Sequence, residues 1–498
     1  MADLVVIGFM GAGKSTAARR HDPAARDSDE HLEATLGEPI EAFFDREGER
    51  AFRAREEREI LSLLDPRGEG TVALGGGALV SDQVRAALRR HPVVWLDVEP
   101  AVAWERVQGS GRPLAREHAA FRALHGEREE SYAAAADAVV FHTDSLAGAA
   151  RALRAEARPP GAKLLWTRGG EVEYPVWAAP GLLESGFWPL SSRRFLVTDQ
   201  AVAGLYADRV GPLAGGIAVE PGEPSKTVSH AELVWRELAR RGATREDHVV
   251  ALGGGVVGDL AGFCAATYQR GMPVLHVPTT LVAQVDSAYG GKTGVDLPEA
   301  KNYVGAYHQP AAVLLDHATL ASLPAEERAA GYAEVVKTAL IAGGPLWERV
   351  RNGAVDDEQT VLACARAKLR IVAGDERDGG RRQVLNLGHT VAHAIEAVTG
   401  YARVRHGEAV GLGLLAALRL SGQDALRTEV DGLLRAAGLP TRAVGLDADE
   451  VLEATRRDKK RTGEGPVPFV LVFAPGDVRP GQTVADDEVR AAVAELTA

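Results

Sequence analysis

The 498-residue chain has only two cysteines, Cys264 and Cys364, and no spacing that suggests a disulfide frame or a thiolate zinc site. Both read as small buried apolar residues. No run of about 18 apolar residues offers a membrane span. The N-terminus is charged at Asp3 and leads straight into a glycine loop, unlike a signal peptide. A dense Lys/Arg run is also missing and the net charge is −12, which argues against a nucleic-acid backbone or an anionic membrane as the main partner. Repeats of about 20–50 residues are absent, as is a low-complexity tail. What remains is ordinary globular composition, with 46% hydrophobic and 25% charged residues. At about 150 residues per domain the length suggests three units. A cytoplasmic enzyme acting on small molecules is the expectation.

Apolar runs place strands at Leu4-Val5-Val6-Ile7, Thr71-Val72-Ala73-Leu74 and Val93-Val94-Trp95-Leu96, with helical stretches between them. That alternation predicts a parallel sheet covered by helices. The pattern fades near residue 155, and "ARPPGAK" (157–163) reads as a hinge because Pro159-Pro160 cannot continue a helix. Further strands are expected at 195–197, 248–252, 274–277 and 313–315. Beyond about residue 325 strand signals thin out and Ala/Leu/Glu/Arg stretches with helical spacing take over. The expected architecture is α/β: a P-loop NTPase-like domain (1–157), a linker (158–163), a Rossmann-like α/β domain (164–328) and a mainly α-helical domain (329–498).

"GFMGAGKST" (8–16) follows a strand and fits G-x-x-x-x-G-K-[ST]. Main-chain N–H groups of Gly11, Ala12, Gly13, Lys14 and Ser15, with Thr16 behind them, can encircle phosphate at a helix N-terminus. Lys14 would reach the β/γ-phosphates of ATP, and Ser15 would hold Mg²⁺. Acceptor groups follow: Asp27 and Asp29, Arg53 and Glu56 on one helix, Gly75-Gly76-Gly77 at a strand end, Arg112 in a lid-like segment, and Arg128. Arginines among carboxylates suit an anionic acceptor bearing hydroxyls.

This set resembles shikimate kinase over roughly residues 1–155, through "GFMGAGKST", "DSDE", "GEPIEAFFDREGERAFRAREE", "ALGGGAL" and "RPL". The resemblance implies phosphorylation of the shikimate 3-hydroxyl. Asp29, Arg53, Gly76 and Arg128 would hold shikimate, Asp27 would assist the Mg²⁺ shell, and Arg112 would cover the phosphates. Asp29 would orient the attacking hydroxyl. One stretch departs from the pattern: "AARRHDPAARDSDE" (17–30) is about four residues short and almost free of large apolar side chains. Pro23 ends any helix that reaches it. The expectation is a loosened first helix, with Asp27 and Asp29 displaced.

In the second half, "HVVALGGGVVGDLAGF" (248–263) reads as strand, glycine turn and helix, and Gly253-x-Gly255-x-x-Gly258 formally matches a dinucleotide fingerprint. Asp199 closes one strand and Thr279 and Thr280 close another. A polar stretch at 284–310 gathers Asp286, Lys292, Lys301 and Asn302, and with Arg270 offers a pocket for a phosphate and a carboxylate. Metal candidates are His389 and His393 at i, i+4, His406 with Glu408, and Glu334 one turn from Lys337. Spacing alone favours His389 and His393 as the paired ligands.

Residues 165–498 resemble 3-dehydroquinate synthase, through "GGGVVGDLAGF", "VPTTLVAQVDSAYGGKTGV", "KNYVGAYHQP", "AEVVK", "NLGHTVAHAIE" and "HGEAVGLG" in order. The resemblance implies Zn²⁺ or Co²⁺ on Glu334, His389 and His406, and it moves His393 to a substrate and proton-transfer role. NAD would contact Asp199, Glu223, Lys226, Gly254, Gly255, Val256, Asp259, Thr279, Thr280, Lys292, Lys301, Ser322, Leu323 and Glu327. The substrate would contact Arg270, Asp286, Lys292, Asn302, Lys337, Lys368, Arg382, Asn386, His393 and Lys459. Of these, Lys292, Lys337, Arg382 and His393 would serve the chemistry directly. The implied reaction uses NAD⁺ and regenerates it while a seven-carbon sugar-acid phosphate loses phosphate and closes to 3-dehydroquinate. Together the halves imply a bifunctional enzyme, dimeric through the synthase part. The rivals are a related sugar-phosphate cyclase whose N-terminal domain binds ATP without efficient phosphoryl transfer, and an NAD-dependent metal alcohol dehydrogenase.

Overall fold

Short runs such as Leu4–Ile7, in which every residue is buried, form the central strands of a computed structural model of the chain. The structure describes residues 2–65, 69–108, 117–155, 159–401, 403–460 and 467–497, with the side chains of 457–460 excepted. Two compact units divide between Phe187 and Trp188.

In the first unit the strands β1 (Leu4–Ile7), β2 (Arg26–Asp27), β3 (Thr71–Ala73), β4 (Val93–Leu96), β5 (Ala138–Val140), β6 (Lys163–Gly169) and β7 (Val172–Ala178) take the order β2-β3-β1-β4-β5-β6-β7. All neighbours are parallel except β6 and β7, which form an antiparallel hairpin. The unit boundary therefore falls later than the hinge expected at 158–163. The chain beyond Pro159-Pro160 first adds two strands to this sheet, with Leu164–Trp166 pairing to Ala138–Val140.

The helix after the glycine loop is short, Lys14–His21, and Lys14, Ala17 and Ala18 are its only buried residues. The apolar face foreseen as missing is missing. A polar clamp stands in its place. The Asp22 carboxylate accepts from the N–H groups of Ala24 and Thr71, and Arg26 donates to the carbonyls of Leu63 and Glu69. Each such bond contributes about 0.5–1.5 kcal/mol net.

The second unit carries a parallel sheet of β8 (Arg194–Asp199), β9 (Gly215–Val219), β10 (His248–Gly253), β11 (Val274–Pro278) and β14 (Ala312–Leu315), in the order β14-β11-β10-β8-β9. Its core gathers Phe195, Val249, Leu260, Phe263 and Val274 between sheet and helices. The polar stretch after β11 is no plain loop. It makes a wide helical turn, Ala283–Ser287, and an antiparallel hairpin of β12 (Lys292–Leu297) and β13 (Ala300–Tyr307). A helical body follows from Ala325, as expected. It also holds a second hairpin, β15 (Pro468–Ala474) with β16 (Asp477–Thr483), which the thinning strand signals did not announce. No helix among the described residues is long and apolar enough to cross a membrane.

Candidate active sites

In the first unit, Gly11 and Gly13 adopt φ of 80° and 93°, which turns successive N–H groups inward before the helix Lys14–His21. No side chain caps that helix, so its first N–H groups stay available to phosphate. Lys14 is buried and donates to the Phe9 carbonyl at 3.1 Å. Ser15 donates to the Asp27 carboxylate, whose other oxygen caps the next helix through the Asp29 and Glu30 N–H groups. The shortened segment thus still delivers Asp27 to Ser15.

The acceptor residues also converge. The Asp29 carboxylate lies against Gly75, where an added Cβ would stand 2.4 Å from Asp29 Oδ1. Arg53 lies over Gly77 and donates to Glu56 at 2.6 Å. Arg128 donates to the Gly76 carbonyl at 2.9 Å, and Tyr132 donates to the same oxygen at 2.5 Å. Burial pushes the Glu56 carboxyl up against the pull of Arg53, and burial also lowers the Arg128 guanidinium. Arg53 and Arg128 thus stand beside the carboxylates of Glu56 and Asp29, a set of donors and acceptors suited to an anionic acceptor that carries hydroxyls. Tyr132 was not foreseen, because nothing in its local sequence marks it. Arg112 lies outside the described residues.

In the second unit, close helix packing builds the centre. Glu334 and Lys337 lie one turn apart on the helix Ala325–Ala342, His389 begins the helix His389–Val398, and His406 begins the helix His406–Leu420. Gly407 sits directly on the backbone of Ala330, and Gly413 on the carbonyl of Gly388. Any side chain there would hold these helices apart. One ligand atom from each of Glu334, His389 and His406 then lies within 4.8 Å of the others. The imidazole Nε2 atoms of His389 and His406 stand 3.7 and 3.4 Å from Glu334 Oε1. His389 Nδ1 donates to the Leu387 carbonyl at 3.1 Å, and His406 Nδ1 faces Glu396 at 3.5 Å. With each Nδ1 so engaged, the Nε2 of both rings is on the side of the centre. This N₂O donor set fits a divalent ion of the zinc type with an open position. His393 touches the His389 ring edge-on at 5.3 Å between centroids but is exposed and stands outside the Glu334–His389–His406 cluster, so the His389–His393 pair that spacing alone favoured is not the donor set brought together here.

Charges surround this centre. Lys337 pairs with Glu334 and lies 3.7 Å from Asp286, and Lys368 bonds the Asp286 side chain at 2.9 Å and its carbonyl at 2.7 Å. Burial raises Glu334, yet Lys337 and the two imidazoles outweigh it and hold the carboxyl well below the usual range. Burial, aided by Lys337, takes His389 down to about 3. His406 goes the other way: burial lowers it, but Glu334 and Glu396 outweigh this and raise it to about 9. Lys368 is lowered by burial despite Asp286. Arg382 is buried and donates to the Gly290 carbonyl at 3.1 Å, four residues before Asn386 at the end of the same turn. Lys292 pairs with Asp378 at 2.6 Å. Asn302 holds φ 57° and donates its N–H to Asp296.

The residues expected to contact a nucleotide form a second, adjoining cluster. The helix Gly255–Thr267 starts without a side-chain cap, at Gly254, Gly255 and Val256. Thr279 Oγ1 is buried there with no hydrogen-bond partner, and the Thr280 side chain packs on Gly254. Uncapped N–H groups and an orphaned hydroxyl fit a bound dinucleotide. Lys226 pairs with Asp259 at 2.7 Å and Glu223 at 3.8 Å, and Lys301 joins Glu223 at 3.4 Å to Glu396 at 3.0 Å. Asp199 caps the helix Gln200–Tyr206 at the end of β8. Ser322, just before Leu323, meets Tyr206, and Glu327 meets Arg405. Arg270 lies on an exposed turn with φ 68°. Nothing is described of the Lys459 side chain. Sequence reasoning missed Glu396 and Asp378, whose partners lie 95 and 86 residues away.

Comparison with known proteins agrees with this division. Residues 10–155 match the family model for shikimate kinase, 216–330 that for the 3-dehydroquinate synthase N-terminal region, and 331–461 that for its C-terminal region. The 3-dehydroquinate synthase of Halorhodospira halophila is 43% identical over 332 residues, which span 63% of this chain and 93% of that protein. That of Symbiobacterium thermophilum is 41% identical over 349 residues, 64% of this chain and 97% of that one. Among solved structures, 2-epi-5-epi-valiolone synthase from Streptomyces hygroscopicus subsp. jinggangensis, with NAD⁺ and Zn²⁺ bound, is 26% identical with a TM-score of 0.61, covering 66% of this chain and 98% of that one.

Proposed function

Because the chain belongs to the 3-dehydroquinate synthase family and carries a shikimate kinase-like region ahead of that part, we propose a bifunctional enzyme of the shikimate pathway. The first activity is ATP-dependent 3-phosphorylation of shikimate. The second is cyclisation of 3-deoxy-D-arabino-heptulosonate 7-phosphate to 3-dehydroquinate with phosphate release. The observation that carries the second is the triad Glu334, His389 and His406 lying beside the Lys337–Asp286–Lys368 group.

In the kinase, the Gly11–Ser15 loop and Lys14 hold the ATP phosphates, Ser15 and Asp27 hold Mg²⁺, and Arg53 and Arg128 take the shikimate carboxylate. Asp29 orients the attacking hydroxyl. The bond breaks early in such transfers, so placement and charge neutralisation matter more than base strength.

In the synthase, Glu334, His389 and His406 hold Zn²⁺ or Co²⁺. The ion, when bound, supplies Lewis-acid polarisation of substrate oxygens. Gly254–Val256, Thr279 and the Glu223–Lys226–Asp259 group would hold NAD, which would supply reversible hydride-transfer chemistry. Lys337, Lys368 and Arg382 are buried cations that bind the acidic substrate, and Asp286 fixes the two ammoniums in place. Lys292, half-exposed and paired with Asp378, offers a further cation for the substrate. His393, exposed beside His389, serves proton transfer at the open face.

The same reading puts the join between the two activities at a linker at 158–163, with the β6–β7 hairpin assigned by sequence to the nucleotide part at 164–328 although it pairs with the first unit's sheet, and it includes a helical part at 329–498, a homodimer through the synthase part and a cytoplasmic location. The change of family model at residues 330–331 supports the second boundary. A coupled assay on the purified full chain tests the proposal. Both activities should appear, with no net NADH. Net NADH release would favour a dehydrogenase, and Lys14→Ala should abolish phosphoryl transfer alone. Loss of both activities on that substitution would refute two independent sites.

A further inference from the structure

Glu396 has no assigned part in either activity, yet it is almost fully buried, 1% exposed, on the helix that begins with His389. Its two oxygens face different sites. Oε2 stands 3.5 Å from Nδ1 of His406, and Oε1 stands 3.0 Å from the Lys301 ammonium. Lys301 comes from the β12–β13 hairpin and also reaches Glu223, which is 3.8 Å from Lys226 in the nucleotide cluster.

The geometry points to Glu396 as a positioning residue that serves the metal ligand His406 and the nucleotide contact Lys301 at once. This role of Glu396 rests on the proposed metal and NAD sites. His406 must present Nε2 to the ion, so its other nitrogen carries hydrogen and donates to Glu396. That bond fixes the ring and raises its basicity as a ligand. His389 obtains the same orientation from a backbone carbonyl, Leu387 O, which no substitution of a side chain can remove. Among the described residues, His406 Nδ1 meets a side chain instead, and it shares that side chain with Lys301. A buried carboxylate is stable only while its partners stay. Withdrawal of Glu396 therefore frees the imidazole and leaves the Lys301 ammonium to Glu223, shifted toward the nucleotide cluster's own carboxylate. The two cofactor sites are linked through one carboxylate.

The test is Glu396→Gln in the full chain, with Glu396→Asp as a second variant. The zinc dissociation constant is read by competition with a chromophoric chelator, and the NAD⁺ constant by calorimetry. The isosteric amide removes the charge and keeps the volume, and the melting temperature of the zinc-stripped chain checks folding. Zinc binding should weaken by about 10–100-fold, the range for such outer partners, and NAD⁺ binding should weaken with it. Glu396→Asp, which keeps the charge, should recover part of both. Zinc affinity within twofold of the parent in a folded Gln variant overturns the inference, and so does unchanged NAD⁺ affinity. If His406→Ala also leaves zinc binding unchanged, the metal-site reading itself is wrong and this inference falls with it.

Discussion

Replacing Gly407 by alanine adds one methyl group at the contact that closes the metal centre. The new Cβ would stand 2.0 Å from the carbonyl oxygen of Ala330, 2.4 Å from its carbon and 2.6 Å from its Cα, where real Cβ atoms essentially never come within 3.0 Å. All three neighbours are backbone, so no side chain can swing away. The two helices must part by about 1 Å, at an overpacking cost of about 1–3 kcal/mol. Gly407 adjoins His406, and Ala330 lies one turn before Glu334, so the shift passes straight into the 3.4 Å separation of His406 Nε2 and Glu334 Oε1. Metal–ligand distances tolerate only about ±0.2 Å. Binding zinc must therefore restore the strained packing, and about 1–3 kcal/mol corresponds to a loss of roughly 5–150-fold in affinity. Chelator competition measures that loss, shikimate phosphorylation by the same preparation serves as the internal control, and the melting transition of the second unit should fall by about 2–4 °C per kcal/mol. A folded Gly407→Ala chain with parental zinc affinity would refute the packing argument.

Asp22→Ala removes the acceptor for the N–H groups of Thr71 and Ala24 and should loosen the first unit by about 1 kcal/mol, read by denaturant unfolding. Those N–H groups hold the Asp22 carboxyl below its ordinary value. Its folded pKa is depressed, so its contribution is full above about pH 4 and fades as the pH falls further. Asp22→Asn should lack that part of the acid dependence; an identical pH profile for the two chains would contradict the assignment. Arg128→Lys replaces a flat donor pair by a point charge and should raise the KM for shikimate about tenfold or more with little change for ATP; an unchanged KM would remove Arg128 from the acceptor site. Stripping zinc with a chelator, then restoring Mg²⁺, should abolish the synthase activity and spare the kinase, as measured by phosphate release and shikimate phosphorylation in parallel.

The strands of both sheets were legible wherever burial on both faces leaves a continuous apolar run, as in Leu4–Ile7 and Val93–Leu96. The β12–β13 hairpin was not, because its strands carry Lys292, Asp296 and Lys301 and alternate irregularly. The glycine loop at 8–16 could be read directly, since phosphate binding there depends on local backbone shape. The metal triad could not be read from spacing. The i, i+4 rule favours His389 with His393, but the third and second ligands come from other helices, and only the contact of Gly407 with Ala330 decides which donors meet. The short segment brings Asp27 to Ser15 and Asp29 against Gly75, and Asp22 and Arg26 hold it by polar bonds that hydrophobic patterning does not register. Glu396 joins Lys301 and Tyr132 joins Gly76, partners distant in sequence that no local signal marks.

The most direct test is the anomalous diffraction of crystals of the full chain grown with zinc and NAD⁺. The account predicts a zinc peak about 2.0–2.2 Å from one oxygen of Glu334 and from Nε2 of His389 and of His406, with nicotinamide density beside it. Zinc bound elsewhere, or a peak that His406 does not touch, would contradict it.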